Sequence, residues 1–491
     1  AGALALGAAG CDQQKAARFF GIGPRKIELT GALTAPTGET LDEVSHVLHR
    51  WSFGARPGEY ARVKQLGIPA FLDEQLAPER IDDSLAERIV RPFESLETEA
   101  GDMFDWDDKY LLSEMTRATL LRATFSRRQL YEVMVHFWTD HFNIDPSKGD
   151  CRWLKAADDR DVIRTHALGR FADLLRATAL SPAMLWYLDG RVNRRAHPED
   201  KPNENYAREL MELHTLGVKG GYTQQDVMEV ARCLTGWTVR HGKFYGNGRV
   251  EFEKHAHDDG EKTVLGTVIA AGGGKGDLDR VLEIVAYHPA TARFIADEPS
   301  ANAVDAVAKA FADSRGDIKP TLRALFGTAD FQDARGNKLK RPLHFVVSAL
   351  RATNAESTAA EGDPLAQLTA ALPTEEGKRR KKQERAPGLT DYLVRMGHAP
   401  FRYPTPDGYP EEATHWQSSL LWRWNFAVAL SENRLKSTRI DLADLRTKLG
   451  GDTALMATCL GRQPTAMEAE AFRSSGDGLA LVLASPAFQR C

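Results

Sequence analysis

Cysteine is scarce in this chain. Five residues, Cys11, Cys151, Cys233, Cys459 and Cys491, are spread over 491 positions. No CxxC pair occurs, which excludes a zinc ribbon, and the wide spacing excludes a dense disulfide scaffold. One or two bridges would form only in an exported protein. A basic excess is also missing, because 64 Lys and Arg stand against 68 Asp and Glu for a formal charge of −4. That balance argues against a dedicated nucleic-acid binder. No apolar run reaches the roughly 20 residues needed to span a bilayer. HExxH is absent, and the Gly-rich stretch 271–276 lacks the full Gly-x4-Gly-Lys-Ser/Thr pattern, so it reads as a loop and not as a phosphate cradle.

What is present suits a soluble globular protein: 42% hydrophobic residues, enough to bury a core, and 27% charged. From Leu41 to Leu350 most apolar residues recur at three- and four-residue spacing, which predicts a mainly α fold. Length alone suggests about three domains. The placement of motifs favours a lead-in over 1–40 and one large helical domain over 41–491. Within it we expect a small β-hairpin insertion near 242–269 and a polar, basic loop at 354–388. The hairpin would pair a strand holding Phe244, Val250 and Phe252 with one from Thr263 to Ile269, across a loop from His255 to Lys262. The first residues, AGALALGAAGC, resemble the tail of a secretory signal, and Ala8-Ala9-Gly10-Cys11 resembles a lipoprotein cleavage box. They predict export to the periplasm or cell surface, with a lipid anchor at Cys11.

Three segments place polar side chains on apolar faces. Ser126 to Gln129 has the form of a capping box opening a helix that runs to about Phe142. Its stripe is Leu130, Val133, Met134, Phe137, Trp138 and His141, with Asp140 at the edge. A buried imidazole at His141 needs partners for both ring nitrogens, and it is also a usual choice for proton transfer or metal ligation. A second helix is expected from Glu204 to Leu216, capped by Asn203 and ended by Gly217. Asn205, Glu209 and Glu212 flank its core face, while Glu204 and Arg208 form an exposed i,i+4 pair. A carboxylate at Glu209 is either paired, with Arg164, Arg170 or Arg232 as partners, or shifted upward as an acid/base group or ligand. Thr223 and Asp226 start the next helix. The third segment, Phe252 to Lys262, is dense in ionisable groups, among them His257 and Asp258, and is either a solvated turn or a source of ligands and acid/base groups. Tyr187, Asp189 and Trp237 stand near caps or turns, where aromatics line a polymer-binding cleft or anchor a core.

Phe137-Trp138-Thr139-Asp140-His141-Phe142-Asn143-Ile144, the run from Pro202 to Gly217 (PNENYARELMELHTLG), Gly221 to Val227 with Leu234-Thr235-Gly236-Trp237, His257-Asp258 with Lys262, His288 to Ile295, and Pro404-Thr405-Pro406-Asp407-Gly408-Tyr409 together resemble the DUF1800 family, over about His46 to Ala429. That resemblance implies a bacterial, mostly helical protein, often exported. It also implies a gene neighbour resembling alkaline phosphatases and sulfatases, hence a partner protein of that kind. It supplies no reaction. After Phe294-Ile295-Ala296 the chain departs from the family pattern, which continues for about ten more helical residues.

Three readings follow. In the first, the chain is a hydrolase acting on an envelope or extracellular, glycan-like polymer, since two carboxylates across a sugar suit glycoside hydrolysis. Glu209 would be the general acid/base and His141 a base or orienting partner. Asp258 and Asp140 would be further catalytic carboxylates. Trp138, Trp237, Tyr187, Asp189, Asn205, Glu212, His214 and His257 would form the binding surface. In the second, His141, Glu209, Glu212 and His257 hold zinc or iron, being the right ligand types. Glu-x-x-His spacing occurs only at Glu43/His46 and Glu412/His415, away from these motifs. In the third, the polar groups fix helix packing and the chain is a non-catalytic partner subunit.

Overall fold

The computed structural model describes residues 26–197, 199–241, 247–296, 300–357 and 386–491. The described residues are mainly helical, with only short two-stranded pairings between strands, in agreement with the three- and four-residue apolar spacing. The elements that build the site are α1 (Glu43–Arg50), α2 (Asp108–Phe125), α3 (Gln129–His141), α4 (Asn205–Glu212), α5 (Gln224–Cys233) and α6 (Pro342–Ala352). The expected lipid-anchor residue Cys11, strand residue Phe244, the segment 297–299 and the basic run within 358–385 lie outside the described residues. The four described cysteines are free and buried. No described helix is long and apolar enough to cross a membrane.

Two large apolar clusters organise the packing. One gathers residues between Val47 and Phe331, including Trp51, Trp138, Phe142 and Phe171. The other joins Phe53 and α6 to the C-terminal helices through Phe345, Phe426, Leu455 and Phe488. Helix α2 threads between clusters. Its Leu120 and Ala123 belong to the second, Leu121 and Phe125 to a third, and Leu111 and Met115 to a fourth. An 18-residue helix can bury different faces along its length, which is why it shows no single apolar stripe. The chain end closes the second cluster: Lys338 and Cys491 exchange backbone hydrogen bonds of 3.1 and 2.9 Å.

Local chemistry explains where α3 and α5 begin. Thr223 and Asp226 form a reciprocal capping box on α5, as their spacing predicts. Ser126 does not cap α3 that way. Its hydroxyl donates to Asp83 and accepts from the Arg128 N–H, while Gln129 turns inward. The Gln129 amide donates to the Ala123 and Ser126 carbonyls and accepts from the Phe53 N–H, tying α2, α3 and the residues after α1 together. A buried amide with long-range partners outcompetes the local cap.

The β insertion is two hairpins, not one. Strand β1 (Trp237–Val239) pairs antiparallel with β2 (Val250–Phe252), and β3 (Lys262–Val264) pairs with β4 (Thr267–Ile269). The expected pairing of 250–252 with 263–269 is absent because each strand finds a nearer partner. Leu265 and Gly266, both at positive φ, make the tight turn between β3 and β4. A third pairing, Glu356–Ser357 with Thr438–Arg439, links α6 to the C-terminal region.

Candidate active site

Helix α4 buries Tyr206, Ala207, Leu210 and Met211. Its start is held by the Asn203 side chain, which accepts from the Asn205 N–H at 2.9 Å, and by Asn205 Nδ2, which donates to the Leu188 carbonyl at 3.0 Å. Glu204 and Arg208 form the expected i,i+4 pair at 2.9 Å, though it is partly buried and not fully exposed. The regular helix stops at Glu212, a turn earlier than periodicity suggests. The N–H groups of Leu213 and His214 both donate to the Glu209 carbonyl, at 2.9 and 3.0 Å. Gly217 then completes the turn at φ +76°, with an added Cβ only 2.7 Å from Phe294, so glycine alone fits there. This unwinding carries His214 into the interior, fully buried, with neither ring nitrogen hydrogen-bonded among the described residues.

Helix α3 supplies the wall beside it. Trp138 is buried and donates from Nε1 to the Ala167 carbonyl at 3.0 Å, so it packs behind the site and does not line an opening. His141 is half-buried, among Phe137, Phe142, Phe294 and His214. Its Nε2 lies 3.1 Å from the His214 carbonyl. A carbonyl only accepts, so Nε2 carries the proton and Nδ1 the lone pair. Burial pushes this imidazole down to about 4. It is a neutral group that braces the turn after α4.

The Pro-rich loop 401–410 is strapped across the ends of these elements. Asn143 Nδ2 donates to the Tyr403 and Thr405 carbonyls at 3.0 and 2.7 Å, and Tyr187 Oη to the Pro404 carbonyl at 2.8 Å. Gly408, at φ +70°, lies so close to the Asp140 carbonyl that a Cβ would stand 2.2 Å from its oxygen. These ties hold the exposed Asp407 in the electrostatic neighbourhood of Glu209. Glu209 is half-buried and has no hydrogen-bond or ion-pair partner among the described residues. Its pKa is raised, first by burial, then by the Glu212 charge and more weakly by Asp407, against a downward pull from Arg208. Tyr222 and Tyr187 sense the same charges: burial and then neighbouring carboxylates, Glu209 among them, raise both phenols. Of the arginines expected to pair with Glu209, Arg164 is bound to Glu132, and Arg232 to Glu229 and Asp258.

The remaining predicted residues lie elsewhere or are engaged. Arg195 and Arg232 both donate to Asp258, as does the Gly260 N–H. Burial would raise that carboxyl, but the two guanidinium groups hold it well below the usual carboxylate range. His257 is buried between Thr235 and Asp277, and Lys262 shares Asp277 at 2.6 Å. Those bonds bind the β3 edge to the next helix and leave His257 no free ring nitrogen, which removes it from a metal set with His141. Asp189 pairs with Lys148 at 3.0 Å. Trp237 is half-buried against Phe252, with ring centroids 5.1 Å apart. Asp140 is bound by Arg341 at 2.7 Å.

The metal-ligand grouping found among the described residues is His136, Asp140 and His398, whose donor atoms lie within 4.8 Å of one another. Sequence reasoning missed it, and it missed Asp407 as a site carboxylate. His136 and Asp140 show the i,i+4 spacing of one helix face, but nothing local announces His398. Asp407 stands inside a recognised motif, and only the strap explains its presence. A cleft of about 470 Å³, lined by Asp145, Arg152, Phe401, Arg402 and Tyr409 among others, opens along the same loop, and Glu209 is not among its lining residues.

No curated protein and no solved structure matches the sequence. A family profile does, across residues 46–490 and thus nearly the whole chain. That span includes α3, α4, the Pro-rich loop and Asp407, so the chain belongs to the DUF1800 family, described as a protein of unknown function.

Proposed function

We propose that the protein is an exported hydrolase that cleaves a neutral or cationic, glycan-like polymer, with Glu209 as the general acid. The observation that carries this reading is the state of Glu209. It is a half-buried carboxyl on the motif helix, unpartnered among the described residues and shifted toward its protonated form by burial and by Glu212. A structural carboxylate would be paired, and a solvated one would not be shifted. Asp407 replaces Asp258 as the second carboxylate, because Asp258 is consumed by two arginines and Asp407 is exposed on a tethered loop from which its charge acts on Glu209. In the reaction, Glu209 gives its proton to the departing glycosidic oxygen while Asp407 accepts one from the attacking water. Cleavage of the C–O bond thus leaves one new hydroxyl on each fragment. The concentration of acidic groups disfavours polyanionic substrates. Export to the periplasm or cell surface rests on the residues preceding Cys11 and on the family pattern.

Reducing-end release from a panel of neutral and amino-sugar polymers, with polyuronates as the anionic control, tests this. Glu209→Gln is expected to reduce turnover by about 10²–10⁴-fold, the usual contribution of a positioned acid. Asp407→Asn should fall in the same range. If an active preparation keeps its rate in Glu209→Gln, the assignment fails.

A further inference from the structure

A second polar region lies on another face of α3, apart from Glu209. A cavity of about 120 Å³ runs from an exposed rim at Phe137, Lys338 and Glu411 to a buried floor at His49. We propose that this cavity binds a small oxyanion, a phosphate, sulfate or carboxylate group, through His49, His344, Arg50, Lys338 and Arg341.

The first support is the unpartnered polar side chains that line it. His49 is 4% exposed, and neither ring nitrogen has a hydrogen-bond partner among the described residues. His344 Nε2 is buried and unpartnered as well. Each neutral imidazole carries one N–H that needs an acceptor. Space for the His49 ring is kept by Gly461, at φ +71°, where a Cβ would stand 2.9 Å from His49 Nε2. Burial and then the nearby Lys340 ammonium push both imidazoles well below their ordinary value.

The second support is charge. Arg50, Lys338 and Arg341 line the cavity, and Glu411 is the only acidic side chain among the lining residues. Lys338 and Arg341 share Glu411, at 2.7 and 3.3 Å, while Arg50 has no carboxylate partner among the described residues. Behind them Lys340 is fully buried, its ammonium unpartnered and 4.2 Å from the Phe488 ring centroid. With Asp140 and Glu411 set against Arg50, Lys338, Lys340 and Arg341, the side-chain charges still leave a positive surplus, and its buried part is poorly screened.

Competing occupants fit less well. A cation would use His136, Asp140 and His398, but Arg341 donates to Asp140 Oδ2 at 2.7 Å and to His136 Nε2 at 3.1 Å. A guanidinium therefore already holds those lone pairs. His398 Nδ1 accepts from the Leu343 N–H at 3.1 Å, so its proton sits on Nε2 and neither nitrogen offers a free lone pair. Water alone would fill the volume with about four molecules, but it would leave the cationic surplus without a counter-charge.

The test is calorimetric titration of the intact protein with inorganic phosphate, sulfate and acetate at constant ionic strength in a chloride background. Saturable one-to-one binding of at least one anion is expected, and the three arms distinguish which group is preferred. Arg50→Gln, at a partly exposed position, and Lys338→Gln, at the rim, should each weaken it about tenfold, the loss expected for one charge-assisted contact. His49→Asn should abolish it, with circular dichroism checking the fold. Arg323→Gln, which removes a surface arginine paired with Asp73, should change nothing. Absence of saturable binding by all three anions overturns the proposal. So does binding that survives both Arg50→Gln and Lys338→Gln, or one-to-one zinc uptake that disappears in His136→Ala while no anion binds.

Discussion

Two carboxylates that look alike in sequence should respond in opposite ways when neutralised. Asp258 is 5% exposed at its side chain and accepts four hydrogen bonds, three from guanidinium groups. Asp258→Asn keeps its shape but sets an amide N–H against those donors. Breaking a buried pair costs about 3–5 kcal/mol. Arg232 and Arg195 are 20% and 34% exposed, so solvent takes up part of the loss and about 2–3 kcal/mol remains. An unfolding entropy of about 2.1 cal/mol/K per residue over 491 residues gives about 1 kcal/mol/K. The expected drop in Tm for a single cooperative transition is therefore about 2–3 °C. Glu209→Gln removes a charge that has no described partner and two acidic neighbours. Its Tm should stay level or rise while turnover falls. Thermal melts followed by circular dichroism, paired with rates per folded molecule, read both effects. If Glu209→Gln lowers Tm as far as Asp258→Asn does, Glu209 is a structural group and the reasoning is refuted.

Acid should destabilise the fold before most carboxylates titrate. Burial holds His46, His136 and His141 at about 4 and His214 at about 3, below the value of 6.5 they regain on unfolding. Between these limits the unfolded chain binds the extra protons. Stability is then full above about pH 6.5 and falls toward pH 4, by up to about 1.4 kcal/mol per pH unit for each imidazole. Urea midpoints that stay flat from pH 7 to about pH 4.5 would contradict the buried placement. Gly408→Ala puts a methyl into the Asp140 carbonyl at a left-handed backbone position. It should cost at least about 1–2 kcal/mol, displace the strap and raise hydrogen exchange across 401–410; unchanged exchange would show that the strap tolerates a side chain. Tyr187→Phe loses the bond to the Pro404 carbonyl, about 1 kcal/mol, and should reduce turnover more than it lowers Tm.

What sequence could read here is what short-range chemistry decides. The α5 capping box, the Glu204–Arg208 pair and the apolar face of α4 depend on residues three or four apart, and they stand in the structure as their spacing implies. Misreadings begin where a distant partner wins. Gln129 gives up a local cap for bonds that include Phe53, 76 positions away. Asp258 is bound by Arg195, 63 positions away, so a loop that reads as solvated or catalytic is instead a rivet. Asp140 sits at the edge of a stripe, where its environment depends on Arg341, 201 residues later. Spacing leaves Glu209 either paired or shifted, because the answer turns on distant arginines, of which Arg164 and Arg232 are committed elsewhere.

The formal charge of −4 conceals a sorting of charge around α3. Toward α4 and the Pro-rich loop stand Glu209, Glu212 and Asp407, with Asp145 beside Tyr187. On the other face stand Arg50, Lys338, Lys340 and Arg341, countered by Asp140 and Glu411. Asp140 touches both regions: its carboxylate accepts from Arg341 and its carbonyl packs against Gly408. Arg341 in turn donates to the Tyr409 carbonyl at 3.4 Å. Neutralising either partner therefore acts on the two regions together. Asp140→Asn weakens the hold on Arg341 and frees it toward the cavity, so anion affinity should rise. The loop that carries Asp407 loses part of its support in the same step, so turnover should fall. A variant in which both quantities move the same way would show that Asp140 does not join them.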